Sequence, residues 1–343
     1  MKVRGAAVQG ALAAVGLAAA FWAWQREPDA AGTEATVLDV SRSALTSLSY
    51  DDPKQTVVVT HGTEGGEAVT WLTVTTKDTP PPAKLLTLAS DGGLADAGVP
   101  DAGPPPPPTP PVPKVRQYRG NDVADKLWER FSPMRAARAL GEIDPAKLKD
   151  LGLDKPDRSL GLVAGGTRYD FEIGTAALGL VNPYFRAKDG KVYLLKGTLL
   201  SDLEFATNRL VDRRIHVFKL EEADELHVKA VDGAKEFVLL PDGKVAPKAT
   251  PTAPDAFLKN WSDKVFRLVA TDILGKGEIP PAGEPTSELR VEYLSHGKLT
   301  GWIDLGHSGP DVYARSEHAA GWIRLPANTG DVVAEAKKVV TTP

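Results

Sequence analysis

The 343-residue sequence contains no cysteine. Disulfides, thiolate metal sites, cysteine nucleophiles and a lipid-modified N-terminal cysteine are therefore excluded. The chain also has no excess of positive charge, because its 41 Lys and Arg residues are outnumbered by 45 Asp and Glu residues, which gives a net charge of −4. That balance provides no basic field for binding nucleic acid.

Signatures of catalysis are missing as well. The chain has no P-loop, no G-x-S-x-G elbow and no H-E-x-x-H motif. His296, His307 and His318 are evenly spaced, but all three are predicted in turns of a strand meander. Successive turns lie at opposite ends of a sheet, which separates the three side chains. We therefore predict no metal, no cofactor and no catalytic residue.

One long uncharged run follows the basic residues Lys2 and Arg4 and extends over residues 5–25. A helix of roughly 20 residues is needed to cross a bilayer. Trp22 and Trp24 lie at its far end, where aromatic side chains favour the membrane interface. We predict that residues 1–26 form a cytoplasmic start and a single-pass anchor in a bacterial inner membrane, with the bulk of the chain in the periplasm.

The alternative for this run is a cleaved signal peptide. The small residues 18–20 resemble a cleavage site. Cleavage there would leave Phe21, Trp22 and Trp24 in an exposed apolar start, which favours the anchor. Both interpretations remain open.

A proline-rich segment interrupts the chain at residues 78–113. Twelve of the 28 prolines lie between Pro80 and Pro113, with alanine, glycine and aspartate around them. Such a composition buries too little apolar surface to offset its ordering entropy. We predict a disordered spacer, with a polyproline ligand for another domain as the alternative.

For the rest of the chain, residues 36–77 and 114–343, the sequence pattern predicts a mixture of strands and helices. Residues 36–77 are rich in β-branched residues, and Asn121 is placed to cap a helix. Ser132-Pro133 predicts the start of a short helix that extends to residue 140. Further along, the pattern predicts a strand over 215–219 and helices over 255–271 and 331–340.

Two parts of the chain follow the same order of elements. Tyr184-Phe185-Arg186 precedes a glycine and a second apolar strand, and Val312-Tyr313-Ala314-Arg315 does the same. We predict an α+β fold with two tandem, related modules of antiparallel meander sheet plus helices. The first module covers 36–77 and 114–210 and is interrupted by the proline-rich insertion, and the second covers 211–343.

These residues also carry a family resemblance. The matching positions are Leu151-Gly152-Leu153-Asp154, Pro156, Gly174, Tyr184-Phe185-Arg186, Val192-Tyr193-Leu194-Leu195, Leu210 and Asp212-Arg213-Arg214. In their order and spacing they resemble the bacterial envelope proteins of domain-of-unknown-function family 4340, over roughly residues 36–240. The resemblance implies an N-terminal anchor, repeated α/β modules and an accessory role to a gliding-motility-type ABC transporter. It implies no catalytic residue, and the long proline-rich insertion departs from the family pattern.

Arg213 and Arg214 are the candidate contacts for an anion or a partner. Adjacent guanidinium groups suit a phosphate or a carboxylate. The alternative is that the pair clamps the two modules through nearby carboxylates such as Glu221, Glu222 or Asp224.

The combined features predict a membrane-anchored, periplasm-facing binding or scaffold protein that is not an enzyme. Its expected partner is an ABC-type transport complex or another envelope complex, which follows from the resemblance alone. The alternatives are a periplasmic hydrolase acting on envelope glycan or peptide, with carboxylates assembled between the modules, and a sensor of an anionic ligand at Arg213 and Arg214.

Overall fold

The computed structural model describes residues 34–77, 113–179 and 181–341. The predicted anchor with Trp22 and Trp24, and the proline-rich segment up to residue 112, lie outside the described residues. Among the residues that are described, no helix is long and apolar enough to span a membrane.

Strands make up most of the described structure. In chain order they are β1 (Ala35–Leu38), β2 (Leu45–Asp51), β3 (Gln55–Glu64), β4 (Glu67–Thr76), β5 (Lys114–Arg119), β6 (Met134–Ala136), β7 (Arg138–Glu142), β8 (Arg158–Ala164), β9 (Thr167–Ala176), β10 (Pro183–Ala187), β11 (Lys191–Leu194), β12 (Glu225–Ala230), β13 (Gly233–Leu239), β14 (Val245–Pro247), β15 (Asp272–Ile273), β16 (Thr286–Ser295), β17 (Lys298–Ser308), β18 (Asp311–Ser316) and β19 (Ile323–Arg324).

Helices are few and mostly short. The α-helices are α1 (Asp122–Arg130), α2 (Ser201–Glu204), α3 (Ala206–Arg209), α4 (Ala256–Phe266) and α5 (Thr329–Thr341). Single 3₁₀ turns occur at Arg42–Ala44, Pro145–Lys147, Gly197–Leu199 and Leu220–Glu222. The fold is therefore mainly antiparallel β-sheet with a minority of helix, which confirms the predicted α+β class at this level.

The chain divides into two compact units. Described residues up to Leu45, together with 128–201, belong to unit 1, and Thr46 onward to Leu127, together with 202–341, belong to unit 2.

In unit 1, five strands form an antiparallel sheet in the order β8-β9-β10-β11-β7, and β1 pairs with β6. The rings of Phe171 and Phe185 stack in its core with centroids 4.6 Å apart. Gly174 is required in β9, because a Cβ there would lie 2.2 Å from the carbonyl oxygen of Leu151.

Unit 2 contains two sheets. The smaller sheet has the order β5-β4-β3-β2 and buries apolar, largely β-branched side chains such as Leu48, Val57, Val59, Leu72 and Val74. The larger sheet has eight strands in the order β14-β13-β12-β16-β17-β18-β19-β15.

Two helices contribute to the core of the eight-stranded sheet. Leu258, Trp261 and Val265 of α4 share a buried apolar cluster with Val332 and other α5 residues and with strand residues of the sheet. The indole Nε1 of Trp261 also donates a hydrogen bond of 3.0 Å to the carbonyl oxygen of Val332. This bond satisfies a buried donor and links the two helices.

A loop of unit 2 connects the two sheets. The Lys276 amide donates to the carbonyl oxygen of Gln117 in β5 at 2.7 Å, and the Lys276 ammonium lies 4.3 Å from the Trp71 ring centre. Next to this contact, Arg116 pairs with Glu278 at 2.7 Å. These contacts cover the edge strand β5, an edge that would otherwise be open to pairing with another chain.

Several local predictions are confirmed. The Asn121 side-chain oxygen accepts from the amides of Val123 and Ala124, so it caps α1 as expected. The final helix forms as α5. The repeated sequences around Tyr184 and Tyr313 both lie in antiparallel strand pairs, β10 with β11 and β18 with β19.

Two local predictions are wrong, and a third is wrong in one helix boundary. The segment after Pro133 forms β6 and β7 rather than a helix, because Met134 and Ala136 are buried in alternation and pair with β1. The segment 215–219 forms no strand: Ile215 is buried, whereas Val217 is 58% exposed, which breaks the alternation of a strand. The helix predicted to end at Thr271 stops at Phe266, and the Thr271 amide pairs with the Arg324 carbonyl oxygen instead.

Gly306→Ala should destabilise unit 2. A Cβ on this β17 residue would lie 2.0 Å from the carbonyl oxygen of Thr286 on the paired strand. We expect a loss of about 2–3 kcal/mol in the free energy of unfolding, measured by chemical denaturation. Gly330→Ala in α5 is the matched control, because its nearest contact would be an ordinary 3.8 Å. Equal stability of the two variants would contradict the packing at Gly306.

Candidate functional site

The solvent face of the eight-stranded sheet carries a cluster of charged side chains. Leu226 and Val228 of β12 are buried in the core. Successive strand residues point to opposite faces, so Glu225, His227 and Lys229 lie on the other side. The same alternation that builds the core therefore places these ionisable groups together.

An open cavity of about 630 Å³ lies over this face. Its ionisable lining comes from β12, β13 and β16 and from the residue after β14, namely His227, Lys229, Lys235, Glu236, Lys248, Arg290 and Glu292. Both signs of charge are interspersed. Such a lining suits a polar ligand or partner surface that carries both donors and acceptors.

Glu225, His227, Glu236 and Lys248 form a compact group, the Glu-His-Glu-Lys cluster. The Lys248 ammonium lies 2.8 Å from Glu225 Oε2 and 3.0 Å from Glu236 Oε2. The His227 Nε2 atom lies 3.3 Å and 3.7 Å from the same two oxygens. The two carboxylates thus share one cation and one imidazole.

The ammonium keeps this cluster ionised. Hydrogen bonds from Lys248 and then His227 lower the pKa of Glu225, and the bond from Lys248 does most to lower the pKa of Glu236. In return, the two carboxylates raise the pKa of Lys248. Both carboxylates are therefore charged at neutral pH.

The cluster was not predicted from the sequence. Three of its residues, Glu225, His227 and Glu236, place possible ligand atoms within 4.8 Å of one another. In the sequence, the only sign of the cluster is the pair Glu225 and His227, two residues apart on one strand. In the structure, Glu236 lies directly opposite His227 in the β12–β13 hairpin. The even spacing of His296, His307 and His318 was the more prominent pattern, whereas Glu236 reaches His227 only through the register of the hairpin.

Arg290 and Trp302 extend the charged face beyond the cluster. The Arg290 guanidinium lies 4.4 Å from the Trp302 ring centre, a cation–π distance. Its Nε atom donates to Glu292 at 2.8 Å. These contacts fix the orientation of the guanidinium at the edge of the cavity.

Arg213 and Arg214, the predicted anion or partner contacts, lie in a different part of unit 2. Both line an open depression of about 470 Å³ with Asn121 and Asn208. Arg214 pairs with Asp212 at 2.6 Å and with Asp122 at 3.3 Å, while Arg213 donates to the carbonyl oxygen of Thr207. Carboxylates thus engage Arg214, although they are not those considered from the sequence, and a contact to an anion stays a prediction.

Asp212 is the most buried charge in this region. Its side chain is only 2% exposed and lies 2.8 Å from His318 Nε2, in addition to its pairing with Arg214. Burial raises the pKa of Asp212, but hydrogen bonds from His318 and Arg214 outweigh it and hold the pKa below its ordinary value. The carboxylate therefore stays charged inside the protein.

The main chain at Asp212 links the two sheets of unit 2. The Asp212 amide donates to the carbonyl oxygen of Arg119 at the end of β5, and Asn121 donates back to Leu210. His318 follows β18 of the eight-stranded sheet. One residue thus joins the end of one sheet to the end of the other.

The evenly spaced histidines each have a separate carboxylate neighbour. His318 contacts Asp212, His307 Nδ1 lies 2.8 Å from Glu288, and the exposed His296 Nδ1 lies 3.9 Å from Asp224. These three neighbours are distinct residues, of which Glu288 lies in β16 and the other two lie in loops. His307 itself lies in β17 rather than in the turn predicted for it.

Comparisons of the chain with protein-family models, curated proteins and solved structures gave no match.

Asp212→Asn should destabilise unit 2 by about 3 kcal/mol at neutral pH, because it leaves His318 and Arg214 without their charged partner. Since the folded pKa of Asp212 lies below its ordinary 3.8, the stabilisation is present above roughly pH 4 and is lost as the pH falls further. The difference in unfolding free energy between wild type and variant should therefore shrink below about pH 4. Denaturant unfolding at several pH values measures it.

The control is Asp242→Asn. This exposed carboxylate also has a lowered pKa, because Lys244 hydrogen-bonds to it, but it lies at the surface. Little change is expected, since exposed pairs contribute little to stability. A pH-independent effect of Asp212→Asn would contradict the role assigned to its charge.

Proposed function

We propose that the protein is a membrane-anchored, periplasm-facing binding or scaffold protein that contacts its partner through the charged face of the eight-stranded sheet. The observation that carries this proposal is the open cavity lined by charges of both signs on that face. An ABC-type transport complex is the proposed partner, as the family resemblance implies. Two tandem, related α+β modules behind a transmembrane helix remain part of this proposal.

The charge state of the cavity favours binding over hydrolysis. A glycosidase-type acid needs one carboxyl group with a raised pKa beside an ionised one. Glu225 and Glu236 both have lowered pKa values and share the Lys248 ammonium. The pair is therefore arranged as two ionised acceptors, which suits recognition of donors on a partner.

Affinity purification of the full chain from native membranes in mild detergent tests the partner. We expect ABC-type subunits to accompany the wild-type protein. Lys229→Glu reverses an exposed charge in the cavity and should reduce their recovery severalfold, since a wrong charge weakens a complementary interface.

Lys219→Glu serves as the matched control for this experiment. Lys219 is also exposed in unit 2, but it does not line the cavity. Recovery of companions should be unchanged in this variant. Recovery of the protein alone in every case, under conditions that preserve other complexes, would refute the partner proposal.

The anchor can be tested separately. Val15→Arg places a charge in the middle of the uncharged run, at a cost of about 3 kcal/mol for insertion, and should move the protein out of the alkali-resistant membrane fraction. Val3→Arg adds the same charge to the basic flank and should leave the wild-type distribution unchanged. Wild-type protein that begins after residue 20 by mass spectrometry would instead support signal cleavage.

A further inference from the structure

The Glu-His-Glu-Lys cluster has the composition of a metal site with a lysine in it. Within the described ranges, Glu225, His227 and Glu236 are the one group of three His, Cys, Asp or Glu residues whose ligand atoms approach one another this closely. The cluster mixes an imidazole with two carboxylates on adjacent strands. It is therefore chemically distinct from a patch of surface acids.

The spacing of the donor atoms fits a small divalent ion. Ligands at about 2.0–2.2 Å from a tetrahedral zinc ion lie roughly 3.3–3.6 Å from one another. His227 Nε2 is 3.3 Å from Glu225 Oε2 and 3.7 Å from Glu236 Oε2. The ligand atoms of Glu225 and Glu236 lie within 4.8 Å of each other, so rotation of these side chains is needed to bring all three donors to one ion.

The backbone holds these donors in place. Glu225 and His227 are two residues apart on β12, and Glu236 pairs with His227 in a hairpin without register shifts. On the other side, β16 pairs with β12 along its full length, also without shifts. The donors therefore lie on a central part of the sheet rather than on a loop.

Lys248 already shows where a cation is stabilised. Its ammonium lies within 3.0 Å of both carboxylates. Two neighbouring carboxylates repel each other unless a positive charge lies between them. Lys248 follows the edge strand β14, and its side chain is 43% exposed, so it can move into solvent when a stronger cation arrives.

We propose that Glu225, His227 and Glu236 bind one divalent transition-metal ion of the zinc class, which displaces the ammonium of Lys248. The imidazole nitrogen selects against Mg²⁺ and Ca²⁺, which prefer oxygen ligands. Because His227 and Glu236 line the open cavity, a fourth ligand from water or from a bound partner can approach the ion from that side. This inference goes beyond the proposed function, because it requires no transporter and no membrane.

Lys248 makes the proposal specific. Because the lysine competes with the metal for the same two oxygens, its removal should strengthen metal binding, whereas removal of any of the three ligands should weaken it. A nonspecific acid cluster would also respond to these changes of charge, so His227 makes the distinction: its removal leaves both carboxylates in place and takes away only a coordinating nitrogen.

The experiment is a Zn²⁺ titration of the purified full chain in detergent, near neutral pH and in competition with a chromophoric chelator. We expect one Zn²⁺ per chain. His227→Ala and Glu236→Gln should each weaken binding more than tenfold, and Lys248→Met should tighten it about tenfold. Thermal unfolding without metal shows that each variant is folded.

Two matched variants control for general effects. His296→Asn removes an exposed histidine at a turn position with φ of 52°, a conformation that asparagine tolerates. Lys244→Met removes a positive charge that pairs with Asp242 outside the cluster. Both should bind Zn²⁺ as the wild type does.

Three results would overturn the proposal. They are no Zn²⁺ binding by either wild type or Lys248→Met, equal affinity in His227→Ala and wild type, and no gain in affinity in Lys248→Met. Partner recovery is measured in a different assay with a different variant, so failure of one proposal leaves the other intact.

Discussion

The arrangement of unit 2 depends on the buried carboxylate of Asp212, which is paired with His318 and Arg214. Its amide extends the pairing at the end of β5, and its side chain contacts His318 beyond β18. A buried charge is tolerated only when it is paired and hydrogen-bonded, and Asp212 has a histidine and an arginine for this purpose. The two sheets therefore share a strong electrostatic contact as well as the loop contacts around Lys276.

The eight-stranded sheet has one apolar face and one charged face. One face holds the apolar core with α4 and α5, and the opposite face carries charges that line a cavity. Different residues form the two faces, because successive residues of the same strands point to opposite sides of the sheet. Substitutions of Lys229 or Lys248 therefore affect the charged face while the core beneath it stays packed.

Local features were largely accessible from the sequence. The cap at Asn121, the final helix and the alternation in β12 follow from short-range patterns. The segment after Pro133 could not be assigned correctly, because its conformation depends on pairing with β1 almost a hundred residues earlier. Tertiary contacts overrode its local preference there.

The site itself was harder to predict. Glu225 and His227 are close in sequence, but Glu236 and Lys248 reach them only through the register of a hairpin and of a further edge strand. The contact between Asp212 and His318 spans 106 residues and leaves no periodic signal. Arg213 and Arg214 were visible as adjacent charges, but the carboxylates that engage Arg214 were not.

The strand β12 pairs with both of its neighbours without a register shift, and this pairing determines which side chains lie on the charged face. A slip of one residue would expose Leu226 and Val228 to water and would drive Glu225 and His227 into the core against apolar side chains. The free-energy penalty of that slip would come both from exposing Leu226 and Val228 and from desolvating Glu225 and His227. Burial of the apolar side chains therefore fixes the positions of Glu225 and His227 on the charged face for as long as the sheet stays folded.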